Sequence, residues 1–184
     1  MILILIASLA AGCTNNPSQT PSDLLEDPAK ATPEKPLTNI SQPLGQETMQ
    51  VTTYYATNDA KYLVPEVHVI PKNDHPAQTA VELLLAGTKN TALVSVIPAD
   101  TKLRKIWVKN HIAYVDFNDK LIKSGTGGST TELLLVGSIV NTLTEFPNIE
   151  KVQILVEGKK IDTIWGHMET REPLGRSEKI IKKT

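Results

Sequence analysis

Five aromatic side chains are the residues of this 184-residue chain best suited to touch a ligand or partner: Tyr54, Tyr55, Tyr62, Trp107 and Trp165. A phenol or indole ring offers a flat apolar face for stacking on a sugar or burying in a partner, with a polar tip that fixes its orientation. The tyrosines also suit strand positions with half-buried rings. Catalysis finds no comparable set. His68, His75, His111 and His167 fall near different expected elements and none is paired at i, i+4, so they do not spell a metal site. The single cysteine, Cys13, excludes an intrachain disulfide and a cysteine-based zinc site. No serine stands in a G-x-S-x-G elbow. The glycine-rich loop at 125–128 precedes an expected helix but lacks the lysine and the spacing of a phosphate-binding loop. Glu66, Asp116, Asp119 and Glu132 are available carboxylates, yet nothing in the sequence pairs any two as acid and base. No catalytic residue, metal ligand or cofactor is assigned.

The elements that must position those aromatics read as alternating strands and helices. Val51–Tyr55 is β-branched and aromatic, and Tyr62–Ile70 alternates apolar and polar after Pro65, which places that strand at an edge or bulge. Asn73-Asp74-His75-Pro76 opens a helix running to about Leu85, with Ala77, Val81, Leu84 and Leu85 on one face and Gly87 beyond its end. Lys102–Lys109 and Ile112–Phe117 form a hairpin about Asn110-His111. Ser129-Thr130-Thr131-Glu132 matches a capping box at the head of a second helix reaching about Glu145. Lys151–Val156 is a strand, 157–160 a turn, and Ile161–Trp165 a last strand. The expected order is ββαββαββ, an α+β fold with two helices on one face of a small mixed or antiparallel sheet. Apolar residues are 40% of the chain but aromatics only 4%, so the core is aliphatic. The length suits one domain rather than two large ones.

The ends carry a different signal. Ile2–Leu9 is apolar but too short to span a bilayer, and it has the length of a signal-peptide core. Ala10-Ala11-Gly12-Cys13 resembles a lipobox, although Leu9 stands four residues before the cysteine rather than three. Residues 1–12 are thus expected to be a signal peptide, and Cys13 to carry a lipid that anchors the chain to the outer face of the cell membrane. Residues 13–47 read as a disordered tether, with Pro17, Pro21, Pro28, Pro33, Pro36 and Pro43 among polar residues. The folded domain is expected over 48–174, followed by a loose basic tail at 175–184. A formal charge of −1 excludes a strongly basic nucleic-acid binder, so no nucleic acid partner is expected.

Taken together, the segments resemble the GerMN domain of sporulation and spore-germination lipoproteins. The resemblance covers about residues 49–174. It rests on Tyr54-Tyr55 with Tyr62-Leu63-Val64-Pro65-Glu66, on Ala80-Val81-Glu82-Leu83-Leu84 with Gly87, and on Ile97-Pro98-Ala99 with Thr101. Ala113-Tyr114-Val115-Asp116-Phe117, the stretch 138–144, Val152–Gly158 and Gly166-His167 complete it. The resemblance implies a fold like the ring-building modules of secretion and sporulation machines, two helices on a three-stranded sheet, with strands added. It implies a non-enzymatic role in spore formation, germination or the cell envelope, through protein assembly or peptidoglycan. The sporulation member carries two such domains in tandem, and this chain one. The expected partners are therefore the membrane, an envelope protein or a second copy, and as an alternative peptidoglycan held by the five aromatics.

Overall fold

The computed structural model describes residues 45, 47–125 and 127–183. Cys13, the expected signal peptide and most of the expected tether lie outside the described residues. The chain opens with an antiparallel pair, β1 (Thr48–Thr57) and β2 (Leu63–Pro71), in register from Thr48 opposite Pro71 to Ala56 opposite Leu63. Pro65 is accommodated because β2 is an edge strand. The short β3 (Leu93–Val94) pairs with the end of β1, giving a three-stranded sheet in the order β2-β1-β3. One face of β1 buries Val51 and Tyr55 against α1 (Pro76–Ala86), which contributes Ala80, Val81 and Leu84. The other face packs Tyr54 and Ala56 with Leu63 and Leu134.

The second sheet is mixed. β4 (Leu103–Lys109) and β5 (Ile112–Phe117) form the expected hairpin, closed by Asn110 and His111, both at positive φ (52° and 60°). Two such residues give the mirror-image turn whose twist suits a two-residue hairpin loop. The chain then passes through a single turn, α2 (Lys120–Lys123), and the long α3 (Ser129–Leu143) before β6 (Lys151–Val156) returns parallel to β5. Two-residue strands β7 (Lys159–Lys160) and β8 (Leu174–Gly175) pair antiparallel with β6. Helix α3 is buried on nearly every side: Leu135, Val136, Ile139, Val140 and Leu143 join the main core with β5 and β6, while Leu134 meets β1. A helix apolar all round belongs inside a domain rather than on its surface.

The α+β class and the mixed character of the sheet match expectation. Helices α1 and α3 share the main core with β5 and β6. Four features differ from the sequence reading. The strands divide into two sheets rather than one, and the order gains β3, the short α2, β7 within the segment expected as a turn, and β8. Residues 161–165 are not a strand: the segment is irregular, with Ile164 buried in the core. The capping box does not form, because Gly128 is the N-cap and Glu132 turns to other partners. The tail is not loose: Lys182 N–H donates to Leu63 O at 2.8 Å, and Ile180 and Ile181 pack against the Tyr54–Leu63–Leu134 cluster.

Candidate docking surface

The five aromatics do not converge. Tyr54 and Tyr55 are 3% and 1% exposed, which leaves no ring face for a sugar or partner and corrects the expectation that they serve as contacts. Tyr55 spans from β1 to the end of α1, its hydroxyl donating to Leu83 O at 2.9 Å and Gly87 O at 3.1 Å. Tyr54 donates to Glu145 Oε1 at 2.6 Å and accepts from Arg176 Nη2 at 2.6 Å, with the guanidinium lying 5.2 Å from its ring centre. Burial pushes both phenols above the ordinary tyrosine value; Glu145 adds to the effect at Tyr54, and Arg176 opposes it.

Trp165 is half-buried. Its indole N–H donates to Leu121 O at 3.1 Å, and its ring lies against Gly125 and Gly127 so closely that a Cβ on either glycine would fall 2.0 and 2.5 Å from it. Trp165 is therefore a wall of the fold that shows part of one edge in a hollow shared with Ser95–Pro98. Tyr62 is 44% exposed at the β1–β2 turn, in a separate hollow lined by residues of the C-terminal segment.

Trp107 keeps an accessible ring. It is 37% exposed on β4 and stacks on Tyr114 of β5, with ring centres 5.2 Å apart and planes 5° from parallel. The pair follows from the hairpin register, in which Trp107 faces Tyr114 directly. Lys105 Nζ sits 5.2 Å from the indole centre, holding a cation against the ring. Beside Trp107 runs a groove of about 230 Å³ lined by Ile106 and Val108 of β4, by Asp74–Gln78 at the start of α1, and by Phe146 and Asn148. Among the described residues β4 is an outer strand of its sheet, so this groove borders backbone N–H and C=O groups without a neighbouring strand there. An aromatic step, a cation, apolar walls and open strand groups make a surface that can dock an extended segment or a flat ring.

Sequence reasoning found Trp107 and missed Tyr114, Lys105, Phe146 and Asn148. Counting outward from the Asn110-His111 turn sets 107 opposite 114, so the stack could have been found from the hairpin register.

His68 and the candidate carboxylates are occupied locally. His68 Nε2 is 2.8 Å from Thr53 Oγ1 and 3.5 Å from Glu66, which itself accepts from Thr88 Oγ1 at 2.6 Å. Asp116 accepts from Arg104 Nη1 and from Gly158 N–H, each at 2.8 Å. Asp119 pairs with Lys123 at 2.7 Å, which lowers the carboxyl pKa and raises that of the ammonium. Buried Glu132 accepts three backbone N–H groups: Oε1 from Ile164 and Trp165 at 3.0 and 2.9 Å, Oε2 from His167 at 2.8 Å. Among the described residues, no three His, Cys, Asp or Glu side chains gather as a metal cluster.

The sequence pattern of a family described as "Germane: Sporulation and spore germination" matches residues 52–162. The chain is 28% identical over 141 residues to the spore germination protein GerM of Bacillus subtilis (strain 168), across 72% of this chain and 38% of that protein. It thus spans well under half the length of that curated relative. Among solved structures, the tandem GerMN domains of the sporulation protein GerM from Bacillus subtilis give a TM-score of 0.60 at 24% identity, over 70% of this chain and 46% of that one. The first GerMN domain of the same protein gives 0.57 at 24% identity, over 71% and 98%. Near-complete coverage of that single domain shows that the fold corresponds to one GerMN unit.

Proposed function

The chain belongs to the Germane family of sporulation and spore germination domains, and from that premise we propose that it is a membrane-tethered docking module of the cell envelope, with no catalytic step of its own. The observation that carries this reading is the open edge of β4, with the exposed Trp107–Tyr114 stack beside an apolar groove. A partner segment laid along β4 would satisfy its free backbone groups and bury the indole, the kind of anchor that dominates protein interfaces. The lipid on Cys13 and the proline-rich tether would hold the domain at the outer membrane face while leaving it free to reach a partner. A role in sporulation or germination comes from the family and from the name of its Bacillus relative.

Chemical crosslinking in cells tests the docking reading: a protein adduct that disappears in Trp107→Ala is expected, and recovery of wall fragments alone counts against it. Membrane fractionation tests the anchor. Cys13→Ala should release the chain from membranes or leave it unprocessed, and unchanged retention with no lipid on the wild-type cysteine would refute the lipoprotein reading.

A second reading, peptidoglycan binding, draws on the same stack. A flat ring pair with polar groups from Asp74, His75, Gln78 and Asn148 nearby suits a sugar ring. Retention by purified sacculi that survives moderate salt and is lost in Trp107→Ala would favour it over protein docking.

A further inference from the structure

The β1–β2 turn and the C-terminal segment meet at a corner far from Trp107 in sequence and element. Tyr62, Lys179, Ile181, Lys182 and Lys183 line a hollow there of about 400 Å³. Both walls are held by backbone bonds. The turn is closed by Thr57 N–H to Tyr62 O at 2.9 Å and Ala60 N–H to Thr57 O at 2.8 Å. The C-terminal side is a single 3-10 turn, Glu178–Ile180, followed by Ile181 bridged to Leu63 and by the Lys182 N–H bond to Leu63 O. Arg176 fastens the approach through Glu145 at 2.8 Å and through Glu178, and Ser177 N–H donates to Asn141 Oδ1 at 2.9 Å. The lysines therefore project from an ordered backbone rather than from a loose tail.

Among the described residues, the charge of this corner is uncompensated. Among the described residues, Lys179, Lys182 and Lys183 make no ion pair. The nearest acids by sequence are engaged elsewhere, Asp59 with Lys61 and Glu178 with Arg176. Three cations with no ion pair among the described residues stand out in a chain whose formal charge is −1. The exposed Tyr62 ring lines the same hollow, and its hydroxyl can donate a hydrogen bond.

We propose that this corner is an anion site for a phosphate-bearing ligand, gripped by Lys179, Lys182 and Lys183 with Tyr62 as a hydrogen-bond donor. Ammonium groups bind phosphate as mobile point charges and need no fixed fork, so three of them around an open hollow suit a mono- or diester. An anionic lipid headgroup and a free or polymeric phosphate share this chemistry. The reading is independent of the docking surface on β4, because the two involve no residue in common.

The test uses the unlipidated full chain, Cys13→Ala, observed by amide NMR while tripolyphosphate is added, and in parallel pelleted with vesicles of phosphatidylglycerol in phosphatidylcholine. Saturable shifts confined to residues 61–62 and 179–183 are expected. The triple variant Lys179→Glu, Lys182→Glu, Lys183→Glu should weaken binding about tenfold or more, a change of about 1.4 kcal/mol. A control of equal charge, Lys109→Glu, Lys151→Glu, Lys159→Glu, should change it less than about twofold. Corner-dependent binding in the vesicle arm alone identifies a headgroup, and in the tripolyphosphate arm a soluble or polymeric phosphate; either supports the site. Equal losses in the two triple variants would show attraction to net charge only, and no shift with either probe would show no site. Both results overturn the proposal.

Discussion

At the scale of single residues, Glu132 decides how the end of the chain is attached. Its carboxylate lies fully buried in the first turn of α3 and receives the N–H groups of Ile164, Trp165 and His167, so one side chain fixes a segment with no regular structure. Hydrogen bonds to a charged acceptor are individually strong, and stranding the buried donors adds to the loss. Glu132→Ala should cost about 3 kcal/mol or more, read as a lower urea midpoint with unchanged slope. Glu132→Gln keeps one acceptor oxygen and should cost less than half of that. The sequence offered Glu132 as half of a capping box, since Ser129 stands three residues before it. That reading failed because the competing donors lie 32 to 35 residues away, beyond the reach of any local pattern.

Tyr54 and Tyr55 set a second residue-scale expectation. Their folded-state pKa values lie above the ordinary value of about 10, chiefly through desolvation. The neutral phenols therefore contribute stability that is complete below pH 10 and lost as pH rises through the folded pKa, while the unfolded chain has already ionised. Stability should fall as pH rises above about 10, and Tyr54→Phe or Tyr55→Phe should flatten that fall in chemical denaturation at stepped pH. A slope identical in wild type and both variants would refute this account of the two hydroxyls.

At the scale of elements, the loop before α3 is shaped by Trp165. The indole occupies the space where Gly125 and Gly127 would carry side chains, and its N–H bond to Leu121 O keeps the ring from yielding. Gly125→Ala should displace the ring, break that bond and lower stability by about 2 kcal/mol, with red-shifted tryptophan emission as the accompanying sign. Gly137 contrasts with these glycines: a Cβ there meets chiefly the mobile end of Ile180, while alanine is the better helix former. Gly137→Ala should change stability by less than about 1 kcal/mol, whereas a bulkier residue should lift the 178–181 segment.

Elements with strong local signals were legible. The hairpin over 103–117 showed its turn and its alternation in Ala113, Val115 and Phe117, and α1 its proline start and apolar stripe. The two-residue strands β3 and β8 were not legible, because two residues carry no periodicity and their pairing is purely tertiary. Ile161–Trp165 imitated a strand by composition, yet its backbone is satisfied by Glu132 and its apolar side chains fill the core singly. The tail looked loose from its lysines, but Arg176 and the isoleucines between the charges attach it. At Arg176 burial lowers the guanidinium pKa, but the hydrogen bonds to Tyr54 and Glu178 and the nearby charge of Glu145 raise it, and the balance is upward.

At the scale of the whole molecule, one GerMN unit presents two unlike surfaces, an aromatic strand edge at β4 and a cationic corner by Tyr62. The buried tyrosines show why the aromatic set divided as it did. Composition marks which side chains could stack, and only the packing of β1 between α1 and α3 decides that Tyr54 and Tyr55 are core. Trp107 stays available because it lies on the face of β4 opposite Ile106, whose side chain packs against the core.

The central claim is that the chain docks a protein through the β4 edge, and site-specific photo-crosslinking in intact cells tests it most directly. A photoreactive residue is placed at Lys109, beside Trp107 on β4, and for comparison at Val69 on the exposed face of β2. The account predicts one discrete protein adduct from position 109, its loss in Trp107→Ala, and none from position 69. Absence of any protein adduct from position 109, with salt-resistant retention on sacculi, would contradict it.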